Sequence, residues 1–455
     1  MQSKKEEKKD SPNKKISITA KFGGSSLSNA KRILNVKDII LADSNRKFIV
    51  VSAPGKDDSH TIKVTDSLYA LSDLVSKKLF WESAWKTIAS RFYSLISELG
   101  LERELKNLLE EVEDSIKNNL YTDFIVSRGE YLSARIMAEV LKKNNPYARF
   151  IDSRELIFFN SSGALDYART CRAIRKKCNA KGMFVIPGFY GTMKNKIKIF
   201  SRGGSDITGA LVACALHTFY ENWTDVSGFY TADPRKVPEA RPIKQMTYRE
   251  ARALSYAGAA VLHEETAMHL VKEGISMAIR NTNKPDHPGT LIKSSNEGKK
   301  NSFIGIAGKQ GFIIFTVDKM MMNESIGQGR KLLGIFEAAK IPYDHEATGI
   351  DTISIFIDGA KSGFSDSNKL LKKILSEIKD KLSPDQVTVV PNVGIIVVVS
   401  QFGNNRDIFI RVSKAMSQKN IKILLLSMEP SGQIIIAVPD KNFPDALRAV
   451  HSALF

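Results

Sequence analysis

The sequence predicts an α/β protein in two parts: a mostly parallel sheet covered by helices, then two smaller α+β units. Three observations predict it. Short apolar runs alternate with helical patterns up to about residue 280, an order that builds parallel sheets with helices on both faces. Two strand-to-helix junctions carry paired glycines. Beyond residue 310 a β-α-β-β-α order occurs twice, each copy a ferredoxin-like half-sandwich.

Taken in order, residues 16–22 alternate as a strand and residues 29–41 have helical spacing. Strand-like runs follow at 48–53, 122–127, 183–187 and 197–200. Two long amphipathic stretches, 80–99 and 101–119, form a helical insertion. Residues 281–300, rich in Pro, Gly, Asn, Ser and Lys, read as a linker. After it come a strand at 312–318, a helix at 329–339, strands at 341–348 and 352–358, and a helix at 368–382. Residues 394–401, 406–418, 421–428, 433–439 and 441–454 repeat that order. Residues 303–307 and 386–391 remain as two further strands.

Composition narrows the class. At 455 residues the chain exceeds one compact core, and 43% apolar with 25% charged residues is globular. No run approaches the roughly 18 apolar residues of a membrane span. Residues 1–15 are polar and charged, unlike a secretory signal, and read as a disordered tail. Cys171, Cys178 and Cys214 form no CxxC pair, which points to reduced thiols in the cytoplasm rather than disulfides or zinc. The seven His show no metal-ligand spacing. Net charge is +18, but the tail adds only six Lys against three acids and the rest is dispersed. Basic tracts interleaved with aromatics are absent, so a small anionic substrate is favoured over nucleic acid.

The chemistry concentrates in the two glycine turns, Lys21-Phe22-Gly23-Gly24-Ser25-Ser26 and Ser201-Arg202-Gly203-Gly204-Ser205-Asp206. Glycines at such a junction let backbone approach a ligand, and the following helix N-terminus favours an anion. Arg202 can grip a carboxylate or phosphate bidentately. Asp206 suits Mg²⁺ or the orientation of a nearby Lys. One such turn is most simply an ordinary loop; two in one domain can hold a polyphosphate from both sides. Neither is a Walker sequence, and Gly327-Gln328-Gly329 lacks the third glycine of a dinucleotide fingerprint.

With Val51-Ser52-Ala53-Pro54-Gly55-Lys56, Ser127-Arg128-Gly129-Glu130, Gly188-Phe189-Tyr190-Gly191 and the block from Trp223-Thr224-Asp225 to Asp233-Pro234-Arg235, these turns resemble the aspartokinase branch of the amino-acid kinase family. The resemblance implies an amino-acid kinase domain over 16–295 and paired ACT domains over 302–385 and 386–455, with strand 302–307 nested into the second. It implies ATP and L-aspartate as substrates, Mg²⁺ as cofactor and 4-phospho-L-aspartate as product, opening lysine, threonine and methionine biosynthesis through the diaminopimelate pathway. The side-chain carboxylate of aspartate is ionised near neutral pH, so no general base is needed. Catalysis must align two anions and neutralise charge in a loose transition state.

By the same resemblance, Lys21 contacts the transferring phosphoryl group, Gly23, Gly24 and Ser25 form the phosphate turn, and Asp206 organises Lys21 and metal. Thr65 belongs to the substrate loop, Glu130 meets the substrate ammonium, Arg202 its α-carboxylate, and Ser205 lies beside that carboxylate. Thr224, Asp225, Tyr230, Asp233 and Arg235 match the nucleotide block. Glu130 as a helix-start acid and Tyr230 as core are the structural alternatives. Ala260 stands where many members carry a nucleotide-contacting Lys. The resemblance places an amino-acid effector, lysine rather than threonine, near Met322, Asp344 and Thr348 at an ACT–ACT interface of a homodimer or dimer of dimers; Asp344 as a mere turn cap is the alternative. No dehydrogenase domain is expected after Phe455. A non-catalytic amino-acid sensor and a glutamate kinase are the competing functions.

Overall fold

The computed structural model describes residues 16–201, 203–259, 261–262, 264–294, 303–364, 368–400, 405–428 and 433–455. The expected tail over 1–15, Arg202 and Ala260 lie outside the described residues. The described chain divides into two compact units. One comprises residues up to Gly228 with Lys244–Tyr248 and Val261–Asn296; the other comprises Phe229–Ile243, Arg249–Ala260 and the remainder to Phe455.

The first unit is built on strands β1 (Ile18–Phe22), β2 (Arg46–Val51), β3 (Ala148–Phe150), β4 (Met183–Pro187), β5 (Tyr190–Met193), β6 (Lys196–Ile199), β7 (Phe219–Thr224), β8 (Gln245–Thr247), β9 (Met277–Asn281) and β10 (Thr290–Lys293). Its helices are α1 (Ala30–Leu41), α2 (Val64–Ser76), α3 (Glu82–Glu98), α4 (Leu108–Asn118), α5 (Thr122–Lys142), α6 (Tyr167–Lys177) and α7 (Gly204–Leu216), then α8 (Tyr248–Tyr256), which enters the second unit, and α9 (Glu264–Lys272).

Eight strands form one sheet in the order β3-β4-β2-β1-β7-β9-β10-β8. Every neighbouring pair is parallel except β9–β10. The period of two along β2 decides what packs where. Ile49 and Val51 join the core under α1 to α5, whereas Phe48 and Val50 join the core under α6 and α7. Both faces are covered, so the inner strands are nearly continuous apolar runs.

Three sequence readings need correction. Residues 122–127 are not a strand but the first turns of α5. Phe-Ile-Val favours strand locally, yet α5 is buried on nearly every side, so tertiary packing overrides propensity. Residues 197–200 lie in a separate two-stranded antiparallel ribbon, β5–β6, outside the main sheet. Residues 281–293 are not linker but an antiparallel return between β9 and β10. Gly289, at φ 72°, makes that return, and a Cβ there would lie 1.9 Å from the Ile279 carbonyl. Strand β7, a neighbour of β1, escaped the reading because Tyr-Glu-Asn-Trp does not alternate. Its buried Glu221 is neutralised by Arg46 at 2.7 Å and Arg280 at 3.4 Å.

The second unit carries strands β11 (Phe303–Asp318), β12 (His345–Thr348), β13 (Thr352–Asp358), β14 (Gln386–Ser400), β15 (Leu425–Met428) and β16 (Gln433–Pro439), and helices α10 (Gln328–Ala338), α11 (Gly359–Ser362), α12 (Asn368–Leu382), α13 (Asn405–Gln418) and α14 (Phe443–Leu454). One six-stranded sheet runs β12-β13-β11-β14-β16-β15. The two leftover strands of the sequence reading are halves of β11 and β14. The late half of β11 pairs with β13 and the early half of β14; its early half pairs with the late half of β14, which pairs with β16. Each long strand therefore serves both ferredoxin-like ACT modules, which have separate cores around Phe315 and Phe336 and around Phe443 and Val412.

Candidate active site

Parallel sheets bind ligands beyond the carboxyl ends of their strands. The first unit has such a cleft, of about 790 Å³, and its walls follow from that rule. Gly23, Gly24 and Ser25 follow β1; Ser52 to Asp58 follow β2; Phe189 follows β4; Thr224 and Asp225 end or follow β7. Gly203 to Asp206 enter from the N-terminus of α7, Lys63 and Thr65 from the start of α2, and Glu130 from within α5.

Lys21 is the next-to-last residue of β1 and 7% exposed. Its Nζ lies 2.8 Å from Asp206 Oδ1 in the first turn of α7. Asn222, its register partner on β7, completes the group: Nδ2 donates to Asp206 Oδ1 at 3.0 Å, and Oδ1 accepts from Lys21 Nζ at 3.4 Å. Sheet pairing and the helix start thus fix one ammonium beside the two glycine turns.

Each turn packs tightly against a neighbouring segment because its glycines have no side chains. A Cβ on Gly24 would lie 2.6 Å from the Ala53 carbonyl, and one on Gly55 2.7 Å from the Gly24 carbonyl carbon. The Gly55 N–H donates to the Gly24 oxygen at 2.8 Å. At the second turn Gly203 adopts φ 59° as the N-cap of α7, and a Cβ on Gly204 would strike Phe189 at 2.7 Å. The unpaired N–H groups and dipole of α7 favour an anion there. Gly188 leaves room for Ser205, whose Oγ would lie 2.4 Å from an added Cβ.

Glu130 is the ninth residue of α5 rather than at a helix start. It is 4% exposed, and its Oε2 has no hydrogen-bond partner. Burial lifts its carboxyl to about 8, against the opposing pull of the Ala53 N–H. A buried acid with an open oxygen in a cleft is a receptor for a cationic group.

The structure therefore gathers Lys21, Gly23, Gly24, Ser25, Thr65, Glu130, Ser205, Asp206, Thr224 and Asp225 about one cleft. Tyr230, Asp233 and Arg235 belong to the second unit, where Arg235 pairs with Asp233 at 2.9 Å. Sequence reasoning assigned no task to Arg32, Lys56, Lys63 or Asn222. Lys56 stood inside a quoted motif, whereas Asn222 is located only by strand register.

In the second unit Asp344 precedes β12. Its carboxylate accepts from the Tyr256 hydroxyl at 2.8 Å and the Asp358 N–H at 3.1 Å. It borders a cavity of about 380 Å³ with Arg249, Arg252 and Lys309. Met322 is instead a core residue of the first ACT module, and Thr348 is exposed at the far end of β12; neither lines that cavity.

Comparison with known proteins agrees with this architecture. Residues 18–281 match the amino acid kinase family. The chain is 30% identical to aspartokinase 3 of Bacillus subtilis, over 96% of this chain and 98% of that one. Its fold superposes on the crystal structure of Clostridium acetobutylicum aspartate kinase with a TM-score of 0.87 at 36% identity, covering 97% and 100% of the two chains. Two structures of E. coli aspartokinase III, one with lysine and aspartate and one with aspartate and ADP, share the fold at TM-scores of 0.76 and 0.72 and 23% and 24% identity, over 97% of this chain and 99% and 100% of theirs. A parallel sheet with glycine turns at its carboxyl edge, over this matched span, makes the chain a member of the amino acid kinase family. Within that family it belongs to the aspartokinases, along its described length and through its ACT modules.

Proposed function

We propose that the cleft aligns ATP and L-aspartate so that the γ-phosphoryl group passes to the side-chain carboxylate, giving 4-phospho-L-aspartate and ADP. The observation that carries this is the Lys21–Asp206 pair at 2.8 Å, its ammonium buried, in the same cleft as the unpartnered carboxyl oxygen of Glu130. The nucleophile is already ionised and needs no base. The protein's task is to hold two anions in line and neutralise the charge that spreads over the phosphoryl oxygens. Lys21, held by Asp206 and Asn222, presents a preorganised cation, and the N-terminus of α7 favours an anion beside it.

Glu130 receives the substrate ammonium, Arg202 the α-carboxylate with Ser205 beside it, and Thr65 closes that side. Thr224 and Asp225 serve the nucleotide. Among the described residues both donors to the Asp206 carboxylate, Lys21 and Asn222, reach Oδ1, leaving Oδ2 for a cation. Mg²⁺ prefers one or two carboxylates plus phosphate oxygens and water, so this donor set fits it, and it supplies charge neutralisation when bound with ATP.

Residues 16–295 act as the catalytic domain and 302–385 and 386–455 as regulatory ACT modules, the early half of β11 belonging to the second. They bind an amino-acid effector, with Asp344 meeting the basic end of lysine, and join the chains into a homodimer or dimer of dimers in the cytoplasm. E. coli aspartokinase III, which shares this fold, has been crystallised with lysine. The reading is tested by ADP release with aspartate and ATP, trapping the acyl phosphate with hydroxylamine. Absence of turnover with aspartate, or faster turnover with glutamate, overturns it.

A further inference from the structure

The insertion formed by α3 and α4 has no part in the chemistry above, yet its buried face contains a charge. Along α3 the inward positions are Trp85, Ile88, Phe92, Leu95 and Ile96, with Arg91 among them at 8% exposure. A guanidinium that deep is costly unless its donors find acceptors. Its NH1 donates to the Ile62 carbonyl at 3.2 Å, and its NH2 to those of Ser28 at 3.1 Å and Gly55 at 2.5 Å. The same nitrogen lies 3.8 Å from Asp57 Oδ2.

These acceptors are not scattered. Ser28 closes the first glycine turn, while Gly55 and Ile62 bracket the loop that runs from β2 along the cleft toward Thr65. The turn has other anchors: the Gly23 N–H on Trp223, Arg32 on the Ser25 carbonyl, and Ser26 on Thr282 at 2.9 Å. The loop has few. Asp57 accepts from the N–H groups of Ser59 and His60 and pairs with the His60 ring, all within the loop. Among the described residues, side-chain ties from 56–62 to the rest of the fold run through Arg91.

We propose that Arg91 is a positioning residue: from the helical insertion it holds the 55–63 loop in the shape that receives the amino-acid substrate. This rests on the reading of the cleft given above, with Thr65 on the substrate side. The three carbonyls are met by two separate nitrogens of one planar fork, a geometry that the single nitrogen of a lysine does not reproduce.

The test uses the full chain with R91K and R91A, and T65V as control. R91K should lower kcat/KM for aspartate by roughly 10- to 100-fold, as small misplacements of a reacting group do. The loss should fall mainly on KM for aspartate, with KM for ATP barely changed. Amide hydrogen exchange should quicken over 55–63 but not over 23–28, and guanidinium ions should partly restore R91A. Unchanged KM for aspartate and unchanged exchange in a folded R91K overturn the proposal, as do equal rises in both KM values. Should the Arg91 variants not fold, D57N must raise KM for aspartate, and no effect there overturns it equally. If T65V raises KM for aspartate while R91K does not, the proposal falls and the reading of the cleft stands. If R91K raises it and T65V does not, the assignment of Thr65 falls instead.

Discussion

Lys21 carries a buried charge at the end of an otherwise apolar strand, and only a partner makes that tolerable. Asp206 and Asn222 supply it. Because the cation is held in place before substrate arrives, its largest contribution belongs to the transition state. Lys21→Ala should therefore lower kcat by roughly 10²-fold or more with little change in KM for aspartate; steady-state kinetics on the folded variant decides it. Glu130 makes a prediction of another kind. Burial raises its carboxyl to about 8. A carboxyl raised on folding contributes stability at low pH that is lost as pH rises through the folded value. Thermal melts should show Glu130→Gln gaining on the wild type from about pH 4.5, the ordinary carboxyl range, up to about 8 and then levelling. In kinetics, kcat/KM for aspartate should climb toward pH 8 in the wild type, as the carboxylate forms that meets the ammonium. A Glu130→Gln variant with the same climb would remove Glu130 from substrate binding.

The element that matters most is the contact between the first glycine turn and the segment after β2. Gly24 and Gly55 touch through backbone atoms, with a hydrogen bond of 2.8 Å between them. Gly24→Ala places a methyl 2.6 Å from a carbonyl oxygen, and backbone cannot swing aside as a side chain would. The turn must open, so KM for ATP should rise and the melting temperature fall by several degrees, a shift expected for a loss of about 1–3 kcal/mol from overpacking. Differential scanning calorimetry with and without ATP checks both. The same logic explains which elements could be read beforehand. The helix 30–41 has its Asn29 cap accepting from the Arg32 N–H, a signal in the sequence itself. Helix α5 has no such sign, because the burial that makes it helical comes from distant elements.

At the scale of the whole molecule the question is control. The six-stranded sheet joins two ACT modules through β11 and β14, so the modules are linked by shared strands rather than by a flexible connection. Lysine can favour an inactive arrangement only by binding it more tightly. Asp344→Ala should leave uninhibited activity near the wild-type rate and abolish inhibition by lysine, measured as a dose–response curve. Asp344 also binds Tyr256 and Asp358 within its own unit, so the variant should melt slightly earlier as well. A wild type insensitive to lysine but inhibited by threonine would overturn the assignment of the effector.

Features that local chemistry dictates are legible along the chain. These are the two glycine turns, the cations and acid beside them, the α/β order of the first part and the doubled β-α-β-β-α order of the second. Glycine pairs and caps act over a few residues, so they are visible in the chain. Features that depend on residues far apart emerge with folding. Register between β1 and β7 put Asn222 beside Lys21, 201 residues away. Burial inside α5 gave Glu130 its raised carboxyl, and packing of a distant insertion brought Arg91 to the loop after β2. Strand pairing merged four short apolar runs into β11 and β14. In each case the deciding term is desolvation or backbone pairing between segments brought together by folding, and neither has a local signature.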